Sequence, residues 1–163
     1  MKPQKILVPL DGSALAEAAL STAMELAGEA GSTLMLLRAA EAYTLLGADA
    51  IDAQIAVVRE AEEYLAAVKS RLLEAGAKDV KTSVWYGSPA YAIAEAARLQ
   101  KADLIVMSTH GRSGFGRLML GSVAESVLRG TSVPILLLRA PGAPVVAPGG
   151  AATSAAAREG ARV

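Results

Sequence analysis

The chain has no cysteine and one histidine, His110. The first absence excludes disulfides, thiolate catalysis and cysteine-based zinc sites. The second excludes any metal motif built on two histidines. Charge of one sign is also lacking: 16 Lys and Arg balance 16 Asp and Glu. Broad binding to nucleic acid or to an anionic membrane needs a basic surplus, so neither is expected. Long apolar runs are missing as well. The N-terminal run Ile6-Leu7-Val8-Pro9-Leu10 stops at Asp11. It is too short for the core of a signal peptide, and no run approaches a membrane span. A soluble, cytoplasmic protein is expected. Gly-x-x-x-x-Gly-Lys-Ser/Thr does not occur, so there is no P-loop lysine to neutralise charge on a leaving phosphate. Gly114-Phe115-Gly116 has no third glycine at the dinucleotide-binding spacing, so a nicotinamide fingerprint is absent too.

What is present is a core-forming chain of 163 residues, 53% hydrophobic and 20% charged. That is enough for one domain with a sizeable interior. Five apolar runs read as strands: Lys5 to Leu10, Thr33 to Arg38, Val80 to Tyr86, Leu104 to Met107 and Pro134 to Leu138. Helical segments separate them. The first spans Ala14 to Ala30, capped by Ser13 and stopped by Gly31. After an irregular crossover, Ala39 to Asp52, a long helix covers Ala53 to Ala75. Its Ile55, Val58, Ala61, Leu65, Val68 and Leu72 fall at spacings of three and four. A third helix starts at Ser88-Pro89 and ends near Gln100. A fourth runs from Ser122 to Arg129, with Gly130 as its stop. The strands are continuous apolar runs rather than alternating ones. Together with the strand–helix alternation, this predicts a Rossmann-like, doubly wound five-stranded parallel sheet covered by helices on both faces. Residues 1–139 form the domain. Ala140 to Val163, rich in Ala, Gly and Pro, reads as a flexible tail.

Ligands of such sheets bind beyond the carboxyl ends of the strands, where the strand order reverses. Two strand ends carry suitable chemistry. After the first comes Pro9-Leu10-Asp11-Gly12-Ser13. After the fourth comes Ser108-Thr109-His110-Gly111-Arg112-Ser113-Gly114-Phe115-Gly116-Arg117-Leu118-Met119-Leu120-Gly121-Ser122. The second is a glycine-rich, basic loop between a strand and a helix start. Glycines let backbone N–H groups converge on an anion, and the first turn of a helix adds unpaired amides and a positive dipole end. Arg112 and Arg117 add charge that can grip phosphate bidentately, or they are solvated loop charges. Ser122 and Glu125 have the spacing of a capping box with or without an anion. Asp11 can accept from ribose hydroxyls or hold a magnesium water, or it can serve only its own turn. His110 lacks the partners of a catalytic base. Trp85 and Tyr86 read as core or dimer-surface residues.

On these residues the chain resembles the universal stress protein family in its nucleotide-binding branch, over nearly all of Lys5 to Arg139. The resemblance rests on Lys-Ile-Leu-Val-Pro-Leu-Asp-Gly-Ser, on Ala102-Asp103-Leu104-Ile105-Val106-Met107, and on Ser132-Val133-Pro134-Ile135-Leu136-Leu137-Leu138. It rests most on the family's ATP motif: Gly, two residues, Gly, nine residues, Gly, then Ser or Thr. Gly111 is the second glycine, Arg112 to Leu120 are the nine, and Gly121-Ser122 close the motif. Ser108 stands where the first glycine belongs.

The resemblance implies an ATP site with magnesium or another divalent ion, and a chain that often dimerises through its last strand. Carried over by position, Pro9, Leu10 and Asp11 would border the adenosine, and Asp11 would also serve the metal. Ala39 would touch the base. Met107 and Ser108 would line the floor. Gly111, Arg112, Gly121, Ser122 and Val123 would surround the ribose and phosphates. The expected function is an ATP-binding regulatory or stress-response module with slow or absent hydrolysis. Two other classes stay open: a slow metal-dependent ATPase using Asp11, and a ligand-independent dimeric interaction protein.

Overall fold

In the computed structural model, residues 2–41, 50–109 and 120–139 are described. The elements run β1 (Lys5–Pro9), α1 (Ala14–Glu17), α2 (Ala19–Ala30), β2 (Thr33–Ala40), α3 (Ala50–Glu74), β3 (Val80–Tyr86), α4 (Pro89–Leu99), β4 (Leu104–Ser108), α5 (Ser122–Gly130) and β5 (Ile135–Leu138). The five strands form one sheet in the order β3-β2-β1-β4-β5. Every pairing in it is parallel. This is the expected doubly wound α/β architecture. Its order reverses at β1, which lies between β2 and β4, so the crevice opens between the ends of β1 and β4.

Alternate strand residues feed two separate cores. Ile6 and Val8 of β1 and Leu34 and Leu36 of β2 meet Ala23 and Ala27 of α2 and Leu65, Val68 and Leu72 of α3. On the opposite face, Leu7, Met35, Leu37, Ile105 and Met107 meet Ile93 and Ala96 of α4 and Ala124 and Val127 of α5. The central strands are apolar at nearly every position because both of their faces are covered. Alanine predominates among the buried residues of α2 (Ala19, Ala23, Ala27) and α4 (Ala92, Ala96, Ala97), which lets those helices sit close to larger strand side chains.

Four local expectations change. The first helix is broken at Ala18, so Ala14–Glu17 and Ala19–Ala30 are separate elements. Ala18 keeps right-handed helical angles (φ −59, ψ −20), so the chain bends without reversing. β2 continues two residues past Arg38, because Ala39 and Ala40 pair with Trp85 and Tyr86 of β3. Ala39 is therefore a strand residue rather than the start of a crossover. Ile55 is 56% exposed although it shares the helical spacing of Ala61, Leu65, Val68 and Leu72, which are buried. The early turns of α3 border the crevice instead of packing on the sheet, as Val57 and Glu60 show by lining it. The expected capping box does not form either. The N-cap of α5 is Gly121, without a side-chain cap. Glu125 instead accepts from Arg129 Nη2 at 2.6 Å, a pair spaced i,i+4 on one helix face. The tail assigned to Ala140 to Val163 lies outside the described residues.

β5 is a sheet edge, and its four residues Ile135, Leu136, Leu137 and Leu138 are each only partly buried. An apolar edge strand presents unpaired backbone groups to any second strand. We expect light scattering on the purified chain to give twice its 16.6 kDa mass. A mass of one chain at micromolar concentration would rule out pairing through this edge.

Candidate functional site

The turn after β1 is built by short-range hydrogen bonds. Asp11 Oδ1 accepts from the Ser13 N–H at 2.9 Å, and Ser13 Oγ accepts from the Ala16 N–H at 3.1 Å. The first bond closes an Asx turn and the second caps α1. Gly12 between them has φ +85, a conformation that costs little only for glycine. The Asp11 carboxylate therefore has a structural task in its turn, and its orientation at the crevice is set by it.

The turn rests on a side chain that the sequence reading did not single out. Arg38, near the end of β2, is buried. Its Cζ lies 4.9 Å from the centre of the Tyr64 ring. A Cβ placed on Gly12 would lie 3.6 Å from Nη1 and 3.7 Å from both Cζ and Nη2. Nearly equal distances to three atoms of a planar group put Gly12 over its face. The guanidinium thus lies close to both the Tyr64 ring, at cation–π distance, and the Gly12 backbone. Its Nη2 donates to Glu60 Oε1 at 2.9 Å.

Tyr64 is fixed in turn. Its hydroxyl donates to Glu17 Oε1 at 2.8 Å, and Glu17 Oε2 accepts from Arg71 at 2.9 Å. Burial, and then the hydrogen bond to Glu17, push the phenol above its ordinary pKa. It therefore stays protonated, as a donor, at neutral pH.

At the end of β4, the Thr109 N–H donates to the Leu138 carbonyl at 2.8 Å, and the Gly121 N–H donates to the Thr109 carbonyl at 2.8 Å. The Gly121 amide is thus taken up by the backbone, and the open amides begin one residue later. The first helical bond of α5 runs from the Glu125 N–H to the Gly121 carbonyl at 2.9 Å. The amides of Ser122, Val123 and Ala124 precede it and form the open first turn. Gly121 itself has φ −57 and ψ 145, angles open to any residue. Ser108, in the first glycine position of the motif, is a buried residue of β4. Lys101 is the one non-glycine with positive φ among the described residues, so Ser108 is not strained by its side chain.

A cleft of about 370 Å³ joins these parts. Pro9, Leu10, Asp11, Ala39, Met107, Ser108, Gly121, Ser122 and Val123, all named from sequence, line it. So do Arg38, Glu41, Val57, Glu60, Pro89 and Ile93, which were not. Gly111 and Arg112, with His110 and Arg117, lie outside the described residues. Trp85 packs against the α4–α5 core, while Tyr86 is half exposed. Among the described residues, no group of three or more Asp, Glu or His could hold a metal ion by itself. No described helix is long and apolar enough to cross a membrane.

An all-parallel sheet with a cleft at its switch point, bordered by a carboxylate turn and an open helix N-terminus, defines a doubly wound, Rossmann-like α/β protein. The chain belongs to the universal stress protein family, whose sequence pattern matches residues 2–139. Universal stress protein MJ0531 of Methanocaldococcus jannaschii is 34% identical over 142 residues, covering 85% of this chain and 83% of that protein. The solved universal stress protein UspA from Lactobacillus plantarum superposes with a TM-score of 0.75 at 25% identity, covering 85% of this chain and 99% of that one. A universal stress protein solved in complex with cAMP superposes with a TM-score of 0.67 at 26% identity, covering 85% of this chain and 98% of that one.

Proposed function

We propose that this protein is an ATP-binding regulatory module of the universal stress protein family, acting in the cytoplasm, with hydrolysis slow or absent. One observation carries the reading. The end of β1 with Asp11, the end of β4 with Ser108, and the open amides of α5 converge on a single cleft of about 370 Å³. That volume is in the range of small-ligand sites. The amide end suits phosphate, and the apolar side chains of Pro9, Leu10, Ala39 and Met107 in the lining suit contact with a base. The relative bound to cAMP, at 26% identity, supports an adenine nucleotide as the ligand class.

Binding rather than turnover is favoured by what lines the cleft. Among its described residues the charged side chains are Asp11, Arg38, Glu41 and Glu60, with neither lysine nor histidine. Asp11 and Arg38 are both engaged in structural contacts. A divalent ion here would take most of its oxygens from phosphates and water, with Asp11 as the carboxylate nearest the β1 turn. The ligand then acts as a state signal, by binding one conformation or assembly more tightly than another.

Calorimetric titration of the nucleotide-stripped chain with ATP and then AMP, with and without magnesium, tests the proposal. Saturable binding that favours ATP and strengthens with magnesium is expected. No heat from either nucleotide would remove the reading and leave the β5 edge as the functional surface.

A further inference from the structure

The base end of the cleft carries a donor–acceptor pair that the family motif does not include. We infer that Glu60, oriented by Arg38, is a specificity-determining residue that receives the exocyclic amine of the base. The inference rests on the proposed nucleotide reading and assigns the base recognition within it.

The placement follows from the sheet. Phosphates belong at the open amides of α5, which follows β4. Glu60 lies on α3, bonded to Arg38 of β2. β2 and β4 flank β1, so they stand about 10 Å apart, two strand spacings. That is comparable to the span from a 5′-phosphate to the far edge of a purine. A nucleotide held at α5 thus brings its base toward Arg38 and Glu60, both of which line the cleft.

The chemistry of the pair is selective. A carboxylate is an acceptor only. Arg38 holds Oε1 at 2.9 Å, while the Glu60 side chain stays 66% exposed. Among the described residues, Arg38 is its one hydrogen-bond partner, which leaves Oε2 for a ligand donor. The acceptor is also pre-positioned. Arg38 is only 10% exposed and lies against both Tyr64 and Gly12, so its partner is oriented before the ligand arrives. A site with a fixed charged acceptor favours a base that brings an N–H donor over one that does not.

The test compares ATP with purine riboside 5′-triphosphate, which lacks the 6-amino group. Each is titrated into the nucleotide-stripped full chain, into Glu60→Ala and into Glu60→Gln. The ratio of the two dissociation constants within one variant cancels any general weakening of the site. In the unsubstituted protein the analogue should bind about tenfold more weakly, the effect of one hydrogen bond to a charged group. In Glu60→Ala the ratio should fall to about one, and in Glu60→Gln it should lie between. A ratio near one in the unsubstituted protein, or one that stays near tenfold in both variants, overturns the role of Glu60 and leaves the nucleotide site standing. Failure of the unsubstituted protein to bind ATP at all removes the proposed function itself, and this inference with it.

Discussion

Gly121→Val should reduce ATP affinity by at least about 100-fold, equivalent to roughly 2.7 kcal/mol, while the protein stays folded. The two halves of this expectation have separate causes. The fold tolerates the change because Gly121 sits at φ −57 and ψ 145, extended angles that a β-branched residue adopts readily. The Gly121 N–H to the Thr109 carbonyl is a backbone bond that a side chain does not remove. Binding does not tolerate it, because Gly121 lines the cleft immediately before the open amides of α5. A branched side chain there occupies space that a phosphate needs to reach Ser122 and Val123. Calorimetry with ATP, alongside a thermal melt, checks both halves. Unchanged affinity with an unchanged melt would place the phosphates elsewhere and sink the assignment.

This glycine shows what the sequence made legible and for what reason. Its position at a strand–loop–helix junction pointed to the cleft, and the structure puts it there. Its amide is bonded to the Thr109 carbonyl and its φ is −57, so what it offers the cleft is small size rather than a left-handed backbone. Spacing reveals that small residues approach a ligand, but it does not reveal φ or where an amide points. Asp11 is similar. Its place after the first strand was readable: the carboxylate closes its own turn and also borders the cleft.

The strands were legible because burial on both sheet faces leaves an unbroken apolar run, as in Ile6-Leu7-Val8 and Leu34-Met35-Leu36-Leu37. Helix ends and helix irregularities were less so. Ser122 and Glu125 carry a capping-box spacing, yet Arg129, one turn on, offers Glu125 an ion pair instead. The break at Ala18 leaves no mark in a run of alanines that all favour helix. The least legible part was Arg38 with Glu60 and Tyr64. The three are 22 and 26 residues apart along the chain, and only the β2–α3 packing brings them together. The available signal was a lone arginine ending the apolar run Leu34 to Leu37. A charge at a strand end usually reads as a solvated residue.

The second large effect concerns stability, and α3 is where it should appear. This helix of 25 residues is mostly exposed. Its fully buried hold on the sheet is short: Ala61 and Leu65 at 0% exposure, Val68 at 1% and Leu72 at 6%. Among these four α3 residues Leu65 is the largest within 1% of full burial, and it packs in the core formed by Ile6, Val8, Leu34 and Leu36. Leu65→Ala should cost about 3 kcal/mol, combining lost transfer energy with a cavity the rigid sheet cannot close. For a domain of this size the melting temperature should fall by roughly 10 °C. The consequence should extend to the site, because Glu60 and Tyr64 lie on the same helix and hold Arg38 beneath the Gly12 turn. A thermal melt followed by ATP titration well below the transition separates the two effects. Weaker binding by the folded variant would show that α3 seating supports the Asp11 turn through Arg38. A large loss of stability with unchanged affinity would show that the turn is held by its own Asp11–Ser13 bond. A melting temperature within a degree or two of the parent would mean that the Leu65 contacts do not anchor α3.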